Sequence, residues 1–284
     1  MTTPSRPVVI VTDSTSDIPK EIAAALGVRI VPLLVRFGDE TFRDGVDIGP
    51  AEFLTRLKAA KDLPKTSQPP VTAFEAEFRR AIEADADVVC ITVGSKLSGT
   101  FNAARLAAET VDPARIQVID SGTSAMQLGM IAISAARAAA ADAPLADVVE
   151  TALSARDRSR IFVVLDTLEY VHKGGRIGKA SQLVGSVLSI KPILTLRDGE
   201  VLPLERVRTW RKALDRMVEL AREMAPLEFV ALMHAGNPAD AAALAQRLAD
   251  LVPADAMIVT EAGPVLTTYA GPGAVCVAAM RAPS

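Results

Sequence analysis

The stretch VVCITVGSKLSGTFNAARLAAE, residues 88–109, decides the fold class. An apolar run stops at a turn of Gly, Ser and Lys, and an alanine-rich helical pattern starts immediately after it. A buried strand that feeds a helix through a short polar turn is the repeating unit of α/β sheets. The helix N-terminus leaves N–H groups free and carries the positive end of the helix dipole, so the turn suits an anion. Its glycines have the G-x-x-x-x-G spacing of a phosphate loop, yet Thr100 occupies the place of the essential lysine. A triphosphate would lose its main counter-charge there. A small, weakly charged anion such as a carboxylate, held by hydroxyls and backbone N–H groups, needs no lysine.

Two further turns share this form. TDSTSD (residues 12–17) follows the apolar run VVIV, and DSGTS (residues 120–124) follows RIQVID. Any one of them is ordinary helix capping, because Ser, Thr and Asp are the preferred N-caps. Three turns at the carboxyl ends of strands in one sheet would converge on a crevice, where ligands collect in open α/β sheets. Val28 to Phe37 reads as another strand region. KTSQPP (residues 65–70) reads as a loop stiffened by two prolines, before a helix in which Thr72 and Glu75 have capping-box spacing.

A second block begins near Arg160. IFVVLD, SIKPILTL, FVALMH and MIVTEA are strand-like, and helical patterns cover Ala180 to Leu188, Trp210 to Met224 and Ala239 to Leu251. LRDGEVLPLE reads as a hairpin turning at Asp198-Gly199. The alternation of strands and helices predicts an α/β fold with a largely parallel sheet. The chain is expected to divide into an N-terminal domain, 1–160, and a C-terminal domain, 161–284. An interface between two such domains is a frequent ligand site.

Composition narrows the function. The chain has 284 residues, 50% of them apolar and 23% charged, and a net charge of −3. No strong basic cluster is present, which argues against a nucleic-acid or anionic-membrane surface. No uncharged apolar stretch is long enough for a membrane span, and the N-terminal apolar run is too short for a signal peptide, so a soluble cytoplasmic protein is expected. Both cysteines, Cys90 and Cys276, sit inside apolar runs and read as buried thiols. With two histidines and no Cys/His cluster, neither a metal nor a cofactor is expected.

Catalytic patterns are weak. No serine has a visible His/Asp relay, and G-x-S-x-G is absent. His234 ends a strand and His172 adjoins the turn YVHKGGRIGKA, where Lys173, Arg176 and Lys179 surround the glycines. That turn reads either as a solvated surface loop or as a docking point for phosphate or an acidic partner. Asp13 and Asp120 suit either turn formation or the orientation of neighbouring hydroxyls.

VTDSTSDIP, FRDGVDI, KTSQPP, SKLSGTFNAA, VIDSGTSAMQLG, LEYVHKGGRIGKA, LSIKPIL and GPGAVCVA occur in an order and spacing that resembles the DegV family along essentially the whole chain. The resemblance implies two α/β domains with a buried acyl-chain tunnel between them. It also implies binding of one long-chain fatty acid, of about palmitate length, whose carboxylate is presented to a fatty-acid kinase for phosphorylation. The family's carboxylate ligands fall on Thr66 and Ser98, with Ser95 as the second candidate in the same turn, and the docking residue for the kinase falls on Arg176. Where the family often has a His two residues before GPG, this chain has Tyr269. A phenol can donate a hydrogen bond but does not exchange protons near neutral pH, which removes any role such a His has in ionisation or phosphoryl transfer. The rival expectation is a small-molecule kinase-like or hydrolytic enzyme, because the family shares the fold of dihydroxyacetone-kinase domains. The missing phosphate-loop lysine and histidine relay count against it.

Overall fold

The computed structural model describes residues 6–183 and 190–283. In chain order the first part comprises β1 (Val8–Asp13), α1 (Lys20–Ala25), β2 (Arg29–Val31), β3 (Leu34–Phe37), β4 (Glu40–Arg43) and α2 (Pro50–Ala59). It continues with β5 (Lys65–Ser67), α3 (Val71–Glu83), β6 (Asp87–Thr92), α4 (Thr100–Val111) and β7 (Ile116–Asp120). Two helices follow, α5 (Ala125–Ala140) and α6 (Leu145–Arg158). The remainder is β8 (Ser159–Val164), α7 (Glu169–Lys173), β9 (Lys191–Arg197), β10 (Glu200–Val207), α8 (Trp210–Arg222) and β11 (Leu227–His234), then α9 (Pro238–Leu248), β12 (Met257–Glu261), α10 (Pro264–Ala270) and β13 (Val275–Arg281).

These strands form three sheets. The first has the order β2-β1-β6-β7 and is parallel throughout. The second has the order β10-β9-β8-β13-β11-β12, and only its β11–β12 pair is parallel. The third is a small antiparallel sheet, β4-β3-β5. The expectation of a largely parallel fold therefore holds for the first sheet and fails for the second. There β13 is inserted between β8 and β11 and runs against both.

The layers follow from which faces are apolar. α5 is buried continuously from Ala125 to Ala136 and packs against both large sheets. A helix wrapped on all sides has no polar face, which is why this segment reads as apolar all round. One core joins Ile10, Val89 and Ile91 of the first sheet through Leu128 and Ile131 of α5 to Ile161 and Phe229 of the second. α3 and α4 cover the opposite face of the first sheet, and α8 and α9 the opposite face of the second. A smaller cluster around Phe53, Val35 and Val265 seats the small sheet against α2 and α10.

Three local expectations are corrected. Val28 to Phe37 is two strands in different sheets. Pro32 has no N–H to continue a ladder, and the Leu33 N–H instead donates to Ser14 Oγ at 3.0 Å. Thr72 and Glu75 do not form a capping box: α3 starts at Val71 after Pro70, with no side-chain cap, so Thr72 already lies inside the helix. The helix expected over Ala180–Leu188 is a 3-10 turn over Gly178–Leu183, and residues 184–188 lie outside the described residues. The Asp198-Gly199 hairpin turn is present with φ of +52° and +73°, the pair of left-handed residues a two-residue type I′ turn requires.

Candidate functional site

Because β1, β6 and β7 are neighbours, the three polar turns emerge side by side at one edge of the first sheet. Two carboxylates organise them. Asp13 accepts the Val93 N–H at 2.7 Å and the Thr15 hydroxyl at 2.6 Å, tying the first turn to the second. Asp120 accepts the N–H groups of Ser95 at 3.1 Å and Gly122 at 2.9 Å, tying the second turn to the third. Both aspartates thus serve turn formation, and Asp13 also orients the neighbouring Thr15 hydroxyl. Burial pushes the Asp13 carboxyl up, against the hydrogen bonds from Thr15 and Val93 that favour its charge.

A cavity of about 440 Å³ opens beside these turns, where all three sheets meet. Its mouth carries Thr66, Ser67, Gln68, Ser98, Arg176 and Tyr269. Ser67, Gln68 and Arg176 are exposed there, while Thr66, Ser98 and Tyr269 are half-buried. Further in, the wall is apolar and buried, with Ile161, Leu165, Val171, Leu194, Met233 and Cys276 among its residues. The volume lies within the range of small-molecule sites, about 300–1,000 Å³.

The sequence-derived candidates separate clearly. Thr66, on β5, and Ser98, before α4, are brought to the same cavity wall from positions far apart in the chain. The Ser98 hydroxyl is 2.9 Å from that of Thr100, so it is aimed by the helix start it precedes. Ser95 is exposed and is not a wall residue; its backbone is taken up by Asp120. Arg176, the residue on which the docking role falls, is itself one of the residues lining the cavity. Its guanidinium lies 5.2 Å from the centre of the Tyr269 ring, donates to the Leu97 carbonyl at 3.3 Å and to the Gly174 carbonyl at 2.8 Å, and borders the mouth.

Tyr269 is the residue whose importance the sequence understated. Its hydroxyl is hydrogen-bonded to Thr66 Oγ1, a contact between α10 and β5. A glycine is required beside it at Gly174, where a Cβ would come within 2.5 Å of the Tyr269 ring. The basic turn is therefore built against this tyrosine. The hairpin tip also reaches the head of the site: Gly199 N–H donates to the Gly122 carbonyl at 2.7 Å, and Glu200 pairs with both Lys96 and Lys179.

Hydroxyls and one guanidinium at an exposed mouth, over an apolar interior, favour an amphipathic ligand with an anionic head. His234 also borders the cavity, but its Nδ1 is buried without a partner, and burial lowers its basicity. Ser98 is bonded to Thr100 and Thr66 to Tyr269, neither to a base. No group of three or more potential metal-ligating His, Cys, Asp or Glu occurs among the described residues.

The architecture defines a class: a layered α/β protein with an amphipathic cavity where its sheets meet. The chain belongs to the DegV family, a family of uncharacterised proteins whose profile matches residues 7–282. A DegV domain-containing protein of Streptomyces coelicolor is 38% identical over 274 residues, covering 95% of this chain and 96% of the relative. A DegV family protein from Thermus thermophilus, described for its fatty acid binding, superimposes with a TM-score of 0.90 at 32% identity, covering 97% of this chain and 99% of the other. DegV of Bacillus subtilis, described as a fatty acid binding protein, gives a TM-score of 0.87 at 31% identity, covering 97% and all of its chain.

Proposed function

We propose that the protein binds one long-chain fatty acid, with its carboxylate at the mouth and its acyl chain in the apolar interior, and presents that carboxylate to a fatty-acid kinase. The observation that carries this reading is the chemical division of the cavity: hydroxyls and Arg176 at the opening, aliphatic side chains within. The fatty acid binding described for the Thermus and Bacillus proteins, which match over nearly their full length, supports it. Thr66 and Ser98 receive the carboxylate in this reading, and Tyr269 is a third hydroxyl within reach of it.

In the same reading residues 1–160 form the domain that supplies the head-group turns, and 161–284 the domain that supplies most of the acyl wall. The protein works as a cytoplasmic carrier without turnover of its own. No helix among the described residues is long and apolar enough to cross a membrane, so exchange with lipid would take place at its surface. Arg176 has a double place, beside Tyr269 and open to solvent, which suits a residue that meets both the head-group site and the kinase.

Native mass spectrometry of the purified protein tests the proposal. A co-purified mass of about a C16–C18 acid, lost on delipidation and regained on incubation with palmitate, is the expected result. A protein that neither carries nor takes up a fatty acid would overturn it.

A further inference from the structure

The motifs TDSTSD and FRDGVDI contribute two carboxylates that the binding of a fatty acid does not use: Asp44, which is buried, and Asp17, which is half-buried with one oxygen enclosed. They meet at the N-terminus of α10. Asp17 Oδ1 accepts the Gly263 N–H at 3.1 Å, while Asp44 accepts the Ser14 hydroxyl at 2.7 Å and a backbone hydrogen bond from Val265. A Cβ at Gly263 would lie 2.9 Å from Asp17 Oδ1 and 3.2 Å from Asp44 Oδ1, so both carboxylates border the space a side chain there would need. The other oxygen of Asp17 and Oδ1 of Asp44 are buried without a partner, and Asp44 is only 3% exposed. Asp17 also holds a left-handed backbone, φ +48°, which few residues other than glycine adopt.

Two carboxylates facing one enclosed point cannot both remain charged without a cation. Neither forms an ion pair with a described Lys, Arg or His. The titratable groups that bear on the pair are Asp13 of β1, acidic like the pair itself, and the Cys276 thiol of β13. α10 offers only Tyr269, already bonded to Thr66, and α5 is uncharged from Ala125 to Ala136. Burial is the main cause that pushes both carboxyls up, Asp44 to about 7 and Asp17 well above the usual range, with the charge of Asp44 adding to the shift at Asp17.

We propose that Asp17 and Asp44 hold one proton between their unpartnered oxygens and act as a proton-dependent clamp on α10, the helix that carries Tyr269 to the mouth of the cavity. With the proton in place, the pair carries one negative charge instead of two, and both carboxyls still accept N–H groups at the helix start. When the proton leaves to solvent, two like charges face each other in a buried site and the clamp loosens. The step to ligand release rests on the carrier reading above; the proton itself does not.

The sign of the pH effect follows from linkage. The pair keeps its shared proton in the folded state at pH values where the unfolded chain has released it, so the folded state binds one more proton above about pH 4. Stability is then lost as pH rises from about 4 through the point at which the pair gives up that proton, about 7 at Asp44.

Infrared difference spectroscopy on the wild-type protein reads the proton directly. A buried protonated carboxyl band present at about pH 6 and lost in alkali is the expected result. Its absence overturns the clamp, as does a stoichiometric bound cation found by elemental analysis. Asp44→Asn supplies a permanent donor in place of the proton, so its melting temperature should fall less than that of wild type as pH rises. Parallel profiles for the two proteins would also overturn the proposal, and if the variant does not fold, the wild-type band decides. Palmitate release should speed up several-fold with rising pH in wild type and much less in Asp44→Asn. A protein that takes up no fatty acid would overturn the carrier reading, and the clamp would then stand or fall on the carboxyl band.

Discussion

The hydroxyl of Tyr269 is hydrogen-bonded to the hydroxyl of Thr66 across a sequence separation of 203 residues, at the mouth of the cavity. The contact joins α10 to the edge of the small sheet, and Arg176 stacks on the outer side of the same ring. A carboxylate entering the mouth would find two hydroxyls already facing one another and a third on Ser98.

The head-group hydroxyls should dominate recognition of the acid. Each hydrogen bond to a charged group contributes roughly 1.5–3 kcal/mol, so Thr66→Ala with Ser98→Ala should weaken fatty-acid affinity about a hundredfold or more. The double variant should keep its far-ultraviolet dichroism and cooperative melting, since both side chains are only half-buried. Undiminished affinity by titration calorimetry would remove these residues from the site.

Affinity should also grow with acyl length. Burial of each CH₂ contributes about 0.8 kcal/mol, so a series of saturated acids should show several-fold tighter binding per added methylene until the interior is full. A response that is flat with length would show that the aliphatic wall does not receive the chain.

Arg176→Ala should separate binding from delivery, though less cleanly than a residue remote from the cavity would. Losing a solvent-exposed cation beside the carboxylate costs about 0.2–1 kcal/mol, so affinity for the acid should fall by no more than a few-fold. Phosphorylation of the bound acid by the cognate kinase should fall further, and the defect should shrink as kinase is added, because rim charges act mainly through encounter. A loss of affinity equal to that of the hydroxyl double variant would make Arg176 a direct carboxylate ligand instead.

Gln127 ties the third turn to the second sheet. It accepts the Thr123 hydroxyl at 2.6 Å and donates to the Ser159 carbonyl and hydroxyl at 3.1 and 3.2 Å, all of them buried. Gln127→Ala would leave the buried Thr123 hydroxyl without a partner, while Ser159 keeps Arg156 and Arg160, at a cost of about 1–3 kcal/mol. The urea midpoint should drop with an unchanged slope, which would place the loss in native stability and not in the extent of unfolding. A midpoint equal to that of wild type would mean that water replaces the side chain without loss.

Much of the fold was legible because its signals are local. The apolar runs that became β1, β6, β7, β8 and β11 needed only their own residues, as did the Asp198-Gly199 turn, whose two left-handed positions are a property of the dipeptide. The motifs pointed to Thr66 and Ser98, and both line the cavity. β5 was hidden because KTS is too short and polar to resemble a strand; it exists because β3 offers it a free edge. β13 was missed for the opposite reason. Its alanine-rich apolar run resembles a buried helix as much as a strand until β8 and β11 pair with it on either side.

The sequence by itself determined the α/β class, the polar turns at strand ends and the hydroxyls that could greet an anion, because periodicity, turn chemistry and side-chain type are carried within a few consecutive residues. Tertiary structure alone decided that Tyr269 meets Thr66, that Arg176 borders the cavity, and that Asp17 and Asp44 converge on the glycine that precedes α10. These relationships depend on how separate sheets pack, and packing sums many weak contacts over the whole chain, so no short stretch of residues records them.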